Sequence, residues 1–174
     1  LGTIRFSAPD EGAGTDAILV AAAIEAVSEG DFSSSNNATK LSFKTGASEA
    51  ATEKMTLSST GVLTANVVLG GTDTDTSNTG NVALDFSAKQ NFVLTLTGNT
   101  TLTNPSTESV GQSGFIAFIQ DGTGGRTITL GTDYETAGGA GITLTTAASK
   151  TDLVPYVVVA ANRILLGTPQ RNFS

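Results

Sequence analysis

The chain has 174 residues, a net charge of −7 and a sequence pI near 4.4, with no Cys, no His and no Trp. That excludes disulfides, thiolate or imidazole metal sites and His-dependent hydrolysis, and the acidity excludes the basic face that nucleic acid needs. Only 14% of residues are charged, while Thr, Ser, Gly, Val, Ala and Asn are abundant, a composition that favours strands and tight turns and predicts an all-β protein.

Taken in chain order, "GTIRFSAP" alternates Ile4 and Phe6 with Thr3 and Arg5. "DAILVAAAIEAVSEG" reads two ways. Its Ala content favours a helix, yet at period two Ile18, Val20, Ala22, Ile24 and Ala26 share one face. "DFSSSNNATKLSFKTG" is a polar turn followed by alternating Leu41 and Phe43. "ATEKMTLSSTGVLTA" is a short strand with Met55 and Leu57, a turn at Gly61, and a second short strand. Residues 70–81, "GGTDTDTSNTGN", hold no apolar side chain and predict a linker or long loop. The pair Asp73 and Asp75 lacks the Gly and Glu of a calcium loop.

From residue 82 the apolar density rises. "NFVLTLTGNTTLTNP" predicts a strand, a turn at Gly98-Asn99 and a return. "GFIAFIQDGTGGRTITLG" predicts a strand buried on both faces, a Gly-rich hairpin loop and a second strand. "GITLTT" predicts a further strand, and "DLVPYVVVAANRILLG" a hairpin around Ala161-Asn162. Pro155 has no N–H to donate, so an edge or a bulge is expected there. The tail "TPQRNFS" either docks or frays. Seven or so short strands predict a β-sandwich or jelly-roll-like domain. The organisation is therefore 1–69, a thin β segment; 70–81, a linker; and 82–174, a C-terminal β domain.

The first segment carries few large apolar residues: Ile4, Phe6, Ile18, Leu19, Ile24, Phe32, Leu41, Phe43, Met55 and Leu57. Ordering costs about 1–2 kcal/mol per residue in backbone entropy. Apolar burial at about 25 cal/mol per Å² does not offset that within one copy. The missing layer is expected from identical chains around a common axis, with three copies favoured because small cyclic assemblies close.

The order "GTIRF", "AAIEA", "LSFKT", "EKMTL" and "TGVLT" over residues 2–65 resembles the repeat of bacteriophage tail fibres and related virion fibre proteins. The resemblance implies that the Ala-rich stretch is a strand. "QNFVLTLTGNTTLTNPSTESVGQSGFIAFIQDGTGGRTITLG" and "LVPYVVVAANRILLG" resemble a C-terminal domain of marine-phage fibre and appendage proteins. Together they imply an intertwined homotrimeric β-rich shaft followed by the head. The implied partners are the chain itself, other virion proteins and a host cell-surface glycan or protein. The implied location is the virion, with no membrane insertion. The chain opens on Leu, so a fragment or processed form of a longer protein is expected.

No catalytic motif stands out, and no cofactor or metal is expected. Asp121, Asp133, Glu135 and Asp152 are carboxylates near loops and could in principle pair for glycoside hydrolysis, but the aromatic platforms of carbohydrate enzymes are missing. "DGTGGR", residues 121–126, lacks the Lys and Ser/Thr of a phosphate loop, and Arg126 is expected to cap a carbonyl or an acidic neighbour. "GTDYETAGGAGI", residues 131–142, is the leading receptor-contact candidate, because Tyr134 can stack on a sugar and three glycines permit an unusual path. "NPSTESVGQ", residues 104–112, is similar. The receptor-contact candidates are thus Tyr134, Glu135, Asp133, Gln112 and Arg126. Asn81 and Asp85 are candidates to hold ions or waters on a threefold axis. The expected role is a virion fibre for host attachment. The rivals are capsid decoration, a polysaccharide-degrading tail spike and a bacterial surface adhesin.

Overall fold

The computed structural model describes residues 1–7 and 18–174, which divide into two units, Leu1–Val68 and Leu69–Ser174. Both are β throughout, as composition predicts. The only helical turn among the described residues is a 3-10 turn at Ala137–Gly139. Residues 8–9 and 16–17, the ends of two stretches read as strands, lie outside the described residues.

The first unit is one antiparallel sheet in sequential order: β1 (Thr3–Phe6), β2 (Ala22–Ser28), β3 (Thr39–Thr45), β4 (Thr52–Leu57) and β5 (Leu63–Ala65). The Ala-rich stretch is indeed a strand, starting at Ala22, so Ile18 and Val20 precede it. Register decides which side chains share a face. Ile4, Ile24, Phe43, Met55 and Ala65 lie in one row across the sheet. Ala26, Leu41, Leu57 and Leu63 form the next row. Phe6 and Ala22 begin a third. All of these point to the same side, because side chains alternate along a strand.

The opposite side is polar. Lys44 pairs with Glu25, and Lys40 with Glu53 at 2.9 Å. The Ser42 hydroxyl also donates to Glu53 at 2.8 Å. A bulge between Phe43 and Lys44 lets Met55 and Glu53 keep to their separate faces. The consequence is unusual. Among the described residues of this unit only Ala23 and Ser42 are buried, both on the polar side. The apolar side is open: Ile4 is 61% and Leu63 62% exposed.

The second unit contains a single eight-stranded sheet: β6 (Thr72–Val82), β7 (Asn91–Leu102), β8 (Ser113–Gln120), β9 (Ile128–Leu130), β10 (Tyr134–Thr136), β11 (Thr151–Ala160), β12 (Arg163–Leu166) and β13 (Gln170–Phe173). Its main path is β10-β12-β11-β8-β7-β6, with β9 on β7 and β13 on β11. Where a β-sandwich or jelly-roll-like domain was expected, the unit has one mixed sheet. β6, β8 and β9 all run parallel to β7. The second layer comes from connections rather than a second sheet. Leu84 and Phe86 from the β6–β7 crossover, with Ile142 and Leu144 from the segment before β11, cover the inner face. There Phe92, Leu94, Leu96, Leu102, Ile116, Phe118, Val154, Tyr156, Val158 and Ile164 are buried. Phe86 packs 5.0 Å from the Phe92 ring and edge-on, at 5.2 Å, to Tyr156.

Several sequence expectations are corrected here. Residues 70–81 are not a linker: most of them form β6, an edge strand recruited by backbone pairing with β7. Its one buried side chain, Asn78, donates to the carbonyls of Asp75 and Thr95, both at 3.1 Å. Gly98-Asn99 is not a turn, since β7 runs straight through it. Gly98 is there for close approach: a Cβ would lie 2.2 Å from Thr79 Oγ1. The Gly-rich loop after β8 does not close a hairpin, because β9 pairs with β7 instead of β8. "GITLTT" is irregular and serves as cover for the core. Pro155 lies neither at an edge nor at either irregularity of β11, which fall between Thr151 and Leu153 and between Val158 and Ala160. It sits where the partner of β11 changes from β12 to β13, and its carbonyl accepts Gly167 N–H at 2.8 Å. At that seam no strand needs the donor that Pro lacks. The tail docks as β13, which the buried Asp152 helps to hold by accepting Asn172 N–H at 2.8 Å.

Candidate functional site

The segment from Ile128 to Ile142 lines a cavity of about 640 Å³ in the second unit. Its shape starts from a bend that only one residue type permits. Gly131 N–H donates to Leu102 O at 2.7 Å, and a Cβ on Gly131 would lie 2.2 Å from Asn104 Oδ1. The Asn104 side chain spans the bend: Oδ1 accepts Asp133 N–H at 3.1 Å and Nδ2 donates to Thr132 Oγ1 at 2.7 Å. The chain then enters β10, parallel to β12, with Ile164 N–H donating to Asp133 O at 2.7 Å. Gly138, Gly139 and Gly141 all have positive φ. Gly141 N–H closes the far side on Thr136 Oγ1 at 2.9 Å. Ile128, Leu130 and Ile142 give the cavity apolar walls, and Thr129, Thr132, Thr136 and Glu135 give it oxygen atoms.

The five residues singled out by sequence do not converge. Tyr134 and Glu135 line the cavity, while Asp133, Gln112 and Arg126 are not part of its lining. Tyr134 is only 5% exposed and belongs to the core, so its ring does not offer a face for stacking on a sugar. Burial, with the Glu108 and Asp133 charges behind it, pushes its phenol far above the usual range. Tyr134 Oη and Glu108 Oε2 are both buried without a hydrogen-bond partner. Glu135 forms a two-pronged pair with Arg163, at 2.8 and 2.9 Å. Those hydrogen bonds hold its carboxyl below the usual range, so it is ionised at neutral pH and has no proton to give. Asp133 is buried and fixed through its backbone.

Gln112 and Arg126 do structural work elsewhere. The Gln112 amide donates to Phe86 O at 3.0 Å and Lys89 O at 3.1 Å, clamping the crossover that covers the core. Arg126 caps an acidic neighbour, Asp121, with Nη2 at 2.8 Å. Asp121 also accepts Thr123 and Gly124 N–H, at 3.0 and 2.8 Å. The Arg126 hydrogen bond above all, then those amides, lower its carboxyl to about 2. Gln120 completes this loop by exchanging both of its amide groups with the Arg126 backbone at 2.9 Å. Asp85 is occupied by Ser87, whose hydroxyl donates at 2.7 Å. Among the described residues no cluster of three or more Asp, Glu, His or Cys is arranged to hold a metal ion, and no helix is long and apolar enough to cross a membrane.

Sequence reading missed the structural roles of Asn104, Gln120 and Asp152, the last of which it noted only as a carboxylate near a loop. Asp152 was accessible to it. The alternation Asp152, Val154, Tyr156, Val158 puts the carboxylate on the buried face. Thr145 N–H and its hydroxyl, the latter at 2.8 Å, satisfy it. Asn104 and Gln120 carry no local signal, because their partners are 28 and 6 residues away.

No curated protein and no solved structure matches the chain. A family model does: the one described as "Putative phage tail fibre C-terminal domain" matches residues 77–160. The matched span runs from within β6 to the end of β11 and includes the whole cavity lining. Residues 77–160 are thus similar to a phage tail fibre C-terminal domain.

Proposed function

We propose that the chain is a structural fibre protein of a phage virion, homotrimeric, that displays its second unit toward a host-cell surface. The tail fibre match over residues 77–160 carries the virion role. Assembly rests on the first unit, whose sheet has a full apolar side and no second layer among the described residues. The sequence of residues 8–17 contains no apolar side chain larger than Pro, so it offers no material for that layer. Sister chains are the source that matches in shape and chemistry, and three of them close around an axis. Three copies of the second unit would then multiply a modest affinity through effective concentration.

The role is binding, without catalysis. Glu135 is locked to Arg163, and the cavity offers threonine hydroxyls and apolar walls suited to holding a neutral polar group. The contact region is the cavity rim at 131–142, with Glu135 and Arg163 beside it. Light scattering on the purified chain tests the assembly: the expected mass is about three times 17.6 kDa. A monomer that keeps its β structure overturns the trimer. Competition by the purified chain against phage adsorption tests attachment, and release of reducing sugar from host glycan would contradict the purely binding role.

A further inference from the structure

The three central strands of the second unit, β7, β8 and β11, have a second face. It carries Val93, Phe115, Ala117, Ile119, Leu153 and Val157, and register puts Val93, Ala117 and Leu153 in one row. Thr95, Ile119 and Thr151 form the row beside it. None of these residues belongs to the interior cluster. Val157 and Val159 are exposed, and Val93, Phe115, Ile119 and Leu153 are half-buried. On these three strands that face has no charge, and the Glu135–Arg163 ion pair lies on the same side of the sheet only beyond them, on β10 and β12. The only Asp, Glu, Lys or Arg in these three strands is Asp152, and it points inward. A sheet face that meets water ordinarily alternates apolar-in with polar or charged-out. Here the charge is inside and the aliphatic side chains are outside.

We infer that this outer face of the second unit is a contact surface for further copies of the same chain. The inference rests on the homo-oligomer proposed above. Two observations select a second copy as the occupant. Each chain has a net charge of −7, so copies repel except across a patch free of charge, and this patch is such a one. Area gives the other. At about 4.8 Å between strands and about 3.3 Å per residue, this face and the apolar side of the first unit each have a footprint on the order of 400 Å². Each alone falls short of the ~800 Å² per partner of a standard interface, and the two on one chain reach it. Once either face gathers copies, the other meets its like at high effective concentration.

The test uses the full chain, compared with Leu153→Lys and with the milder Val93→Thr, by light scattering over a dilution series. Leu153→Lys should raise the concentration at which the assembly dissociates at least about tenfold, since like charges would oppose across the contact. Val93→Thr should raise it less, and both variants should keep the circular dichroism of the parent. Because the chain has no cysteine, Thr95→Cys supplies a second readout. Maleimide labelling there should be slowed in the assembled chain and recover on dilution. A parent chain that is monomeric overturns the homo-oligomer and this contact together. A parent that assembles, with dissociation unchanged in both variants and labelling independent of dilution, overturns this contact alone.

Discussion

The two units are written in the same alternating, Thr-rich language and reach opposite ends. The first sorts its side chains onto two faces and leaves the apolar one uncovered. The second sorts them equally well, then folds its own connections over one face. The difference lies in the loops. The connection between β6 and β7 contributes Leu84 and Phe86, and the segment before β11 contributes Ile142 and Leu144. The described connections of the first unit are mostly Ser, Asn, Thr, Gly, Ala and acidic residues, and their few apolar side chains form no cover: Ile18, Phe32 and Val62 are exposed, and Leu19 and Val20 are half-buried. Alternation therefore makes a sheet. A core additionally requires that something apolar return across it.

Four experiments break or sharpen this contrast. The largest effect is expected from Phe92→Ala, which empties a fully buried site against Phe86 and Tyr156. It should cost about 3–5 kcal/mol, read by denaturant unfolding of the second unit, and by the same amount at every protein concentration. Asp152→Ala should cost about 2 kcal/mol by leaving Thr145 and Asn172 donors without an acceptor. Faster amide exchange across β13 and 145–146 would report it. Phe43→Ala in the first unit should behave differently from both. Its cost should be small at high dilution and grow to about 1–2 kcal/mol as chains associate. A concentration-independent loss would mean that the first unit completes its own interior.

The smallest effect concerns pH. Asp121 has a folded carboxyl at about 2, depressed chiefly by Arg126. A depressed carboxyl stabilises the fold above its unfolded value and loses that contribution as pH falls toward the folded one. The loop at 121–126 should thus stay closed through pH 4 and loosen only toward about 2. Arg126→Gln should move that loosening upward, visible in the amide shifts of Thr123 and Gly124. An unchanged acid profile would remove the ion pair from any role in holding the loop.

Much of this was legible in the sequence. Period-two alternation located β1, β3 to β5, β8 and the β11–β12 hairpin, the resemblance to a fibre repeat made β2 a strand, and the glycines marked 138–141 as an unusual path. The cavity lining, Ile128 to Ile142, overlaps the segment 131–142 that the Tyr and Gly content singled out. The errors share one cause. Gly98 looked like a turn because glycine permits turns, yet here it admits Thr79. Residues 70–81 looked unstructured because they bury almost nothing, yet a backbone ladder with β7 suffices to order them. Tyr134 looked like a surface platform because a loop composition surrounds it, yet the sheet draws its ring inside.

By itself the sequence determined that the protein is all-β, that its ionisable side chains are carboxylates, Lys, Arg and Tyr with no histidine or thiol among them, and that its first segment carries few large apolar side chains. These follow from composition and local period, which need no partner to be read. Only the tertiary structure decided that β6, β8 and β9 run parallel to β7, that connections form the second layer of this unit, and that Asp152 points inward while Val93, Ile119 and Leu153 point out. Those are choices of pairing between residues far apart in the chain. Each is fixed by which faces can be covered at once, a condition on the whole assembly of strands that no single window of residues contains.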